Sequence, residues 1–437
     1  CCPGTYKNNY QSCCGIKDGD KYYASFSFRR DGSSRLSPDT RWGNFWSLSA
    51  SWRLSQEKFM QSLKSVLSDL KLRASYGVNG NLPSSYYGYQ STYTTGAFYN
   101  GKPSPWESTL GNEELTWEKN YALNLGLDIG LFSRVNVSLD WYTRTTKDLL
   151  MSKQLNSISG FSSLLTNVGQ MRNTGVELEV RSNNIKTKDF SWTTAFNLSH
   201  NKNKILKLAD LPWFVDGRYV RKEGYPFNTI YLREYAGVDP ETGSALYYDN
   251  QQDENGNYTK NKVTDPGQAS PIPLKDITPT ISGGFMNTFN YKFIDLSFNL
   301  SYSFGGYSYD NASYILQDDG YSVISNKSTE QRRRWQKPGD ITDVPRFVYG
   351  NKKGGNYNSS RAIHSTDHIR LKSLILGLNA PKAWLQKLGI GNARIYFSGT
   401  NLLTWAAYGQ YDPEMSGVVG FYTPPLKTYA FGLELKF

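Results

Sequence analysis

Seven aromatic residues crowd one stretch of the sequence: Tyr86, Tyr87, Tyr89, Tyr93, Phe98, Tyr99 and Trp106. An aromatic side chain offers a flat apolar face with a polar edge or tip, which suits stacking on the C–H face of a sugar ring. The same rings would also serve simply to pack a long loop against its neighbours. Two acidic runs, Asp239-Pro-Glu-Thr-Gly243 and Asp253-Glu-Asn-Gly-Asn257, combine carboxylates with a glycine turn. Hard oxygen ligands of that kind can hold calcium. The EF-hand spacing is not met, so plain turns are the preferred reading and no cofactor is expected. Gln331-Arg-Arg-Arg-Trp-Gln-Lys337 is the densest basic run. It suits an anionic surface or, more simply, a solvated loop.

Catalysis finds little support. Ser199 and His200 are neighbours, but successive residues of a strand point to opposite faces. His364 and His368 lie four apart, a spacing that aligns metal ligands on a helix. The text around them leads into a strand, and no Glu lies between them. No enzyme is expected. Cys1, Cys2, Cys13 and Cys14 are the only cysteines. Their spacing is wrong for zinc knuckles, so a local disulfide pair or a segment of foreign origin is the expectation for residues 1–18.

The elements that must position these residues are strands. Leu48, Ala50, Trp52 and Leu54 alternate with Ser47, Ser49, Ser51 and Arg53. Leu70, Leu72, Ala74, Tyr76 and Val78 alternate with Lys71, Arg73, Ser75 and Gly77. The same period of two recurs at 22–29, 123–131, 135–141, 176–181, 192–199, 280–291, 293–305, 366–380, 391–402 and 428–437, about twelve strands. Leu371 and Leu374 are out of phase, which predicts a bulge between them. The last strand is typical: Tyr429, Phe431, Leu433, Leu435 and Phe437 are apolar, and Ala430, Gly432, Glu434 and Lys436 between them are small or charged.

A greasy face on every strand must meet either a core or lipid. Short connections at 131–134, 183–189 and 290–293 alternate with long ones at 80–116, 151–171, 209–279 and 306–365. That alternation predicts a transmembrane barrel with tight turns on one side and long loops on the other. Mean hydropathy is −0.57, and no run approaches the roughly 20 apolar residues of a membrane helix. A barrel strand is only half apolar, so this excludes helical spans and not a barrel. Aromatics make up 15% of residues, with 32 Tyr and 11 Trp, which suits interfacial girdles. Net charge is +11. The basic residues are spread over strands and loops, without a basic helix, so nucleic acid is not the expected partner and anionic lipid headgroups fit better.

Placing Phe437 on the periplasmic side makes the turns at 55–66 and 381–390 periplasmic. The loops at 31–40, 80–116, 151–171, 209–279, 306–365 and 403–427 then face outside. The chain starts at Cys1 without a signal peptide, as a mature or truncated chain would.

Several stretches resemble one family. They are Ala24-Ser-Phe-Ser-Phe-Arg-Arg-Asp-Gly-Ser-Ser-Arg35, Arg41-Trp-Gly-Asn-Phe45, Leu70-Lys-Leu-Arg-Ala-Ser-Tyr-Gly-Val-Asn-Gly-Asn81, Asn173-Thr-Gly-Val-Glu177, Ala236-Gly-Val-Asp-Pro-Glu-Thr-Gly243, Ile369-Arg-Leu-Lys372, Asn401-Leu-Leu-Thr404 and Tyr411-Asp-Pro-Glu414. Taken in order they are similar to the SusC/RagA family of TonB-linked outer-membrane proteins, over 19–437. The resemblance implies an all-β, antiparallel transmembrane barrel of about 22 strands, of which this chain carries about twelve, with the N-terminal plug absent. It implies import of oligosaccharides or peptides, a SusD-like surface lipoprotein as lid, and a TonB complex acting through the missing plug. Tyr86, Tyr87, Tyr89, Tyr93, Tyr99 and Trp106 then become candidate ligand contacts. Tyr429, Phe431 and Phe437 resemble the C-terminal signal for barrel assembly. Twelve strands cannot close that barrel, so this chain alone is not expected to form a native transporter. A passive porin or adhesin-like barrel and a secreted glycan-binding β-protein remain open at this point.

Overall fold

The structure, a computed structural model, describes residues 7–436 except 97, 209–210, 352–357, 382–384 and 386–388. Cys1, Cys2 and Phe437 lie outside the described residues. The chain forms two compact units, one of residues 1–213 with 222–227, the other of 214–221 with 228–437.

In the first unit eight long strands follow in chain order: β1 (Lys7–Asp18), β2 (Tyr22–Ser33), β3 (Trp42–Arg53), β4 (Leu67–Asn81), β5 (Glu118–Leu131), β6 (Val135–Gln154), β7 (Ser163–Lys186) and β8 (Phe190–Lys207). Each pairs antiparallel with the next. Tight turns are closed by residues that enter the left-handed region, Gly19 and Asp20 between β1 and β2, Phe132 and Ser133 between β5 and β6. Leu54–Gln56 and Lys58–Leu63 form short 3-10 segments in the connection between β3 and β4.

The second unit continues the pattern with β9 (Ile281–Tyr291), β10 (Ile294–Phe304), β11 (His368–Asn379), β12 (Asn392–Ala406) and β13 (Thr428–Lys436), again each antiparallel to the next. The expected bulge is at Lys372: Leu371 pairs with Leu300 and Leu403, Ser373 with Asn299 and Thr400, and Lys372 has no opposite residue.

Three expectations are corrected. Lys7–Asp18 is a strand in full register with β2, Cys13 opposite Ser27 and Cys14 opposite Phe26, so long strands number thirteen among the described residues. Its polar residues hide the alternation. Cys13 and Cys14 carry free, exposed thiols, not a local disulfide. The loop expected over 151–171 shrinks to 155–162, because β6 and β7 stay paired out to Gln154 and Ser163. A strand crosses a bilayer in about 9–11 residues, so these two, at 20 and 24 residues, continue well beyond it.

Burial shows where the apolar face goes. Phe431 is 82% exposed, and Tyr429, Leu433, Leu435, Leu48, Leu72, Leu125 and Ile395 are exposed with it. A water-soluble fold would cover that face. A barrel wall turns it to hydrocarbon. No helix among the described residues is long and apolar enough to cross a membrane; the crossing elements are strands.

Candidate functional site

The opposite face of the wall is polar and carries hydrogen bonds between neighbouring strands. Ser25 and Ser49 hydroxyls share a hydrogen bond of 2.7 Å, and so do Ser27 and Ser47. One step along, the Arg73 guanidinium donates to Asp128 at 2.9 and 3.0 Å and to Asp140 at 2.9 Å, three strands drawn together by one side chain. Arg53 grips Asp69. In the second unit Arg394 grips Asp295 at 2.6 Å, and Asn379 donates to the same carboxylate. A forked guanidinium meeting a carboxylate fixes geometry as well as charge. The result is a hydrophilic wall on which these charges are paired.

At the long-loop end of the first unit, the polar face gives way to a small core. Leu36, Phe45, Val78, Leu115 and Trp117 are buried together. Phe45 and Trp117 meet edge to face at 5.2 Å, and the Trp117 indole donates to Arg41 O at 2.9 Å. Above it the 82–117 connection rises as a hairpin, Thr92–Thr94 paired with Trp106–Thr109 and Phe98–Tyr99 with Lys102–Pro103. The candidate contacts separate here. Tyr89 packs on the core. Tyr86, Tyr87, Tyr93, Tyr99 and Trp106 are exposed, Tyr86 beneath the Arg35 guanidinium at 4.2 Å. Tyr429 and Phe431 stand exposed on β13 beside Phe397.

The second unit builds its loops around buried ion pairs. Arg361 bonds Asp319, which also accepts from Gln331 at 2.9 Å. Burial pushes the Asp319 carboxyl up, and Arg361 opposes that push. Lys327 reaches Asp318 at 2.7 Å. Arg370 on β11, 2% exposed, holds Asp412 at 2.6 Å and Glu414 at 2.9 Å, and Lys372 at the bulge adds a bond of 2.6 Å to Glu414. A removed partner in such a cluster leaves an uncompensated charge, so these pairs specify one loop arrangement.

The remaining sequence candidates fall into structural roles. Asp239 accepts from Glu241 N and Thr242 Oγ1, and Asp253 from Asn255 N and Asn257 N. Both are turn carboxylates closing their own backbone, and backbone N–H groups hold both below the usual carboxylate range, Asp239 with the Thr242 hydroxyl foremost. In the basic run, Trp335 lies over Gly243 and donates to Pro240 O at 2.8 Å, while Arg333 pairs with Glu330 and Asp343. His364 and His368 do not converge: His364 stacks on Tyr408 with ring centroids 3.7 Å apart, and His368 Nδ1 meets Thr366 O at 2.7 Å. No group of three metal-ligating side chains occurs among the described residues.

The model of the TonB dependent receptor-like β-barrel family matches residues 15–267. The TonB-dependent receptor P3 of Formosa agariphila is 33% identical over 95% of the chain and 44% of its own length. The TonB-dependent receptor SusC of Bacteroides thetaiotaomicron is 30% identical over 96% of the chain and 42% of its own. Among solved structures, that of the RagAB peptide transporter matches 99% of the chain and 48% of its own with a TM-score of 0.89 at 31% identity. Its open-open state gives 0.87 at 30%. The chain spans somewhat under half the length of these relatives. With its exposed apolar faces and these matches in sequence and fold, the chain belongs to the TonB-dependent receptor family, as a β-barrel of the SusC/RagA type in the outer membrane.

Proposed function

We propose that this chain supplies barrel strands and extracellular loops to an active importer of oligosaccharides or peptides. The observation that carries the reading is the match to the RagAB peptide transporter over 99% of the chain. The paired polar wall and ordered long loops support it, because a ligand passing such a wall meets hydroxyls and neutralised charges. The loops form one side of an external chamber. A SusD-like surface lipoprotein covers it, and a TonB complex acting on a plug domain opens the way inward. Energy is required because a ligand bound tightly outside leaves slowly.

The test is genetic and biochemical. The gene encoding the full-length protein is deleted in its host, and growth is compared on peptides and on polysaccharides as sole nutrient. Growth is expected to fail on one class only, to return with the wild-type gene, and to stay absent in a TonB-deficient strain. The tagged protein is expected to co-purify with a lipoprotein in detergent. Uptake that persists without TonB would make this a passive pore and sink the proposal.

A further inference from the structure

Above its greasy band, the outward face of the first unit turns basic. Side chains two apart on a strand share a face, and the exposed Leu125 on β5 with Leu139 and Trp141 on β6 marks the outward one. In steps of two toward the long-loop ends, unbroken register leads from Leu125 to Tyr121 and Lys119, and from Trp141 to Thr145 and Lys147. On the next two strands it leads from Leu178, which faces Leu139, to Arg172 and from Leu198 to Lys202 and Lys204. Side-chain contacts agree: Lys147 Nζ lies 4.9 Å over the Tyr121 ring, and Arg172 Nε donates to Thr145 Oγ1 at 3.2 Å. A strand crosses the bilayer in about 9–11 residues. Counted from Val135 beside its tight turn, β6 leaves hydrocarbon near Thr145, which puts these cations at headgroup height.

The cations oppose one another. Lys204 is the register partner of Arg172, and Lys147 of Lys119. Like charges directly opposite on one face of a ladder destabilise it. Asp148 reaches Lys119 at 3.4 Å, but among the described residues no carboxylate pairs with Lys147, Arg172, Lys202 or Lys204, and all four are exposed. The lumen face of the same sheet is built differently, with Asp128 on β5 and Asp140 on β6 both meeting Arg73. The bond to Thr145 occupies Arg172 Nε and leaves both Nη groups, and a planar guanidinium fork suits the oxygens of a phosphate.

We propose that this patch binds the phosphate-bearing headgroup of a glycolipid in the outer leaflet, whose acyl chains lie on the apolar band below. A phosphate between Arg172 and Lys204 relieves their repulsion, and Lys202 and Lys147 flank it. The occupant is a lipid and not a soluble anion because the cations continue directly into the lipid-facing Leu123, Leu125 and Trp141, and only a lipid meets both surfaces. The proposal goes beyond import and takes from that reading only that the long loops lie outside.

The experiment uses the full-length protein purified in detergent, with diphosphoryl lipid A, the same lipid stripped of its phosphates, and inorganic phosphate as probes, read by native mass spectrometry. The intact lipid is expected to bind. Arg172→Gln combined with Lys204→Gln should weaken it about tenfold. Lys186→Gln combined with Lys188→Gln, the same charge change at the opposite ends of these strands, should not. Because the first double variant removes a like-charge pair, it should melt no lower than the wild type in lipid-free detergent, and lipid A should raise the melting point of the wild type more. Equal binding by both double variants overturns the proposal. So does equal binding of the stripped lipid, or displacement by millimolar inorganic phosphate, which would make this a free-anion site. A variant that keeps lipid A but loses a co-purifying lipoprotein would make the patch a protein contact and also overturn it. None of these measurements uses a nutrient or TonB, so their failure leaves the import reading standing, and loss of that reading leaves them valid.

Discussion

The Arg370 guanidinium, 2% exposed, donates to the Asp412 carboxylate at 2.6 Å across 42 residues of sequence. One residue on a barrel strand therefore fixes the connection that follows β12. Arg370→Ala would leave Asp412, whose side chain is 8% exposed, buried and unpaired. Breaking a buried pair from one side costs about 3–5 kcal/mol. The cost should be local, since β11 keeps its ladder bonds. Hydrogen exchange of the full-length variant is expected to rise over 407–420 and stay unchanged in β11 and β12. Equal protection in variant and wild type would show that the clamp does not hold the loop.

Gly80 faces the Phe45 ring so closely that a Cβ there would sit 2.1 Å from Cζ. Phe45 is 3% exposed and wedged against Trp117, so it cannot swing away. Gly80→Ala is expected to destabilise by about 1–3 kcal/mol through overpacking, and Phe45→Ala by about 3–5 kcal/mol through the cavity it leaves. In the double variant the new methyl enters that cavity. The combined loss should fall below the sum of the single losses, as coupled neighbours do. Urea unfolding in lipid vesicles measures all three; strict additivity would mean that the two residues do not meet.

Most of the wall was legible because its signal is local. A period of two announces a strand wherever one face must be greasy, and the phase break between Leu371 and Leu374 announces the bulge at Lys372. β1 escaped because Asn8, Asn9, Gln11, Ser12, Cys13 and Cys14 show no alternation; it is held by register with β2. The extension of β6 and β7 escaped because, beyond the bilayer, nothing requires an apolar face. Arg370 with Asp412 escaped for a different reason. They are joined by a tertiary contact between residues far apart in sequence, and no periodicity links them. Of the aromatic loop, the sequence named the residues but could not separate Tyr89, which packs on the core, from Tyr99, which is 80% exposed.

His364 lies stacked on Tyr408 in the loops, away from the membrane-spanning strands. Burial holds its imidazole below the usual value near 6.5, and the Asp310 carboxylate only partly offsets this. Because the folded-state value is the lower one, the proton prefers the opened loop. Above about pH 6.5 both states are neutral and the contact is intact. As pH falls through that value the opened form gains a proton that the packed form resists, so packing weakens toward acid. Protection from hydrogen exchange over 363–365 and 408–411, corrected for the intrinsic slowing of exchange toward acid, is expected to fall between pH 7 and pH 5, roughly the window in which histidine titrates. His364→Phe keeps the stacking and removes the titration, so its profile should be flat. Parallel profiles for the two proteins would assign the pH dependence elsewhere.

Leu48 and Ser49 stand side by side midway along β3 on opposite faces, Leu48 54% exposed and Ser49 hydrogen-bonded to Ser25 on the polar wall. An arginine at a lipid-facing position near the bilayer midplane costs about 2–4 kcal/mol, and lumen-facing positions tolerate charge. Leu48→Arg is therefore expected to destabilise the folded protein in vesicles by that amount, and to slow its appearance as a heat-modifiable band in outer-membrane fractions. Ser49→Arg loses one hydroxyl bond, worth about 1 kcal/mol, and places its guanidinium among polar neighbours. The second variant should assemble normally. In a water-soluble sheet the order would invert: arginine on an exposed face costs little, and arginine on a hydrogen-bonded inner face costs more. The comparison of two adjacent substitutions thus decides which solvent the apolar face meets, independently of any ligand or partner.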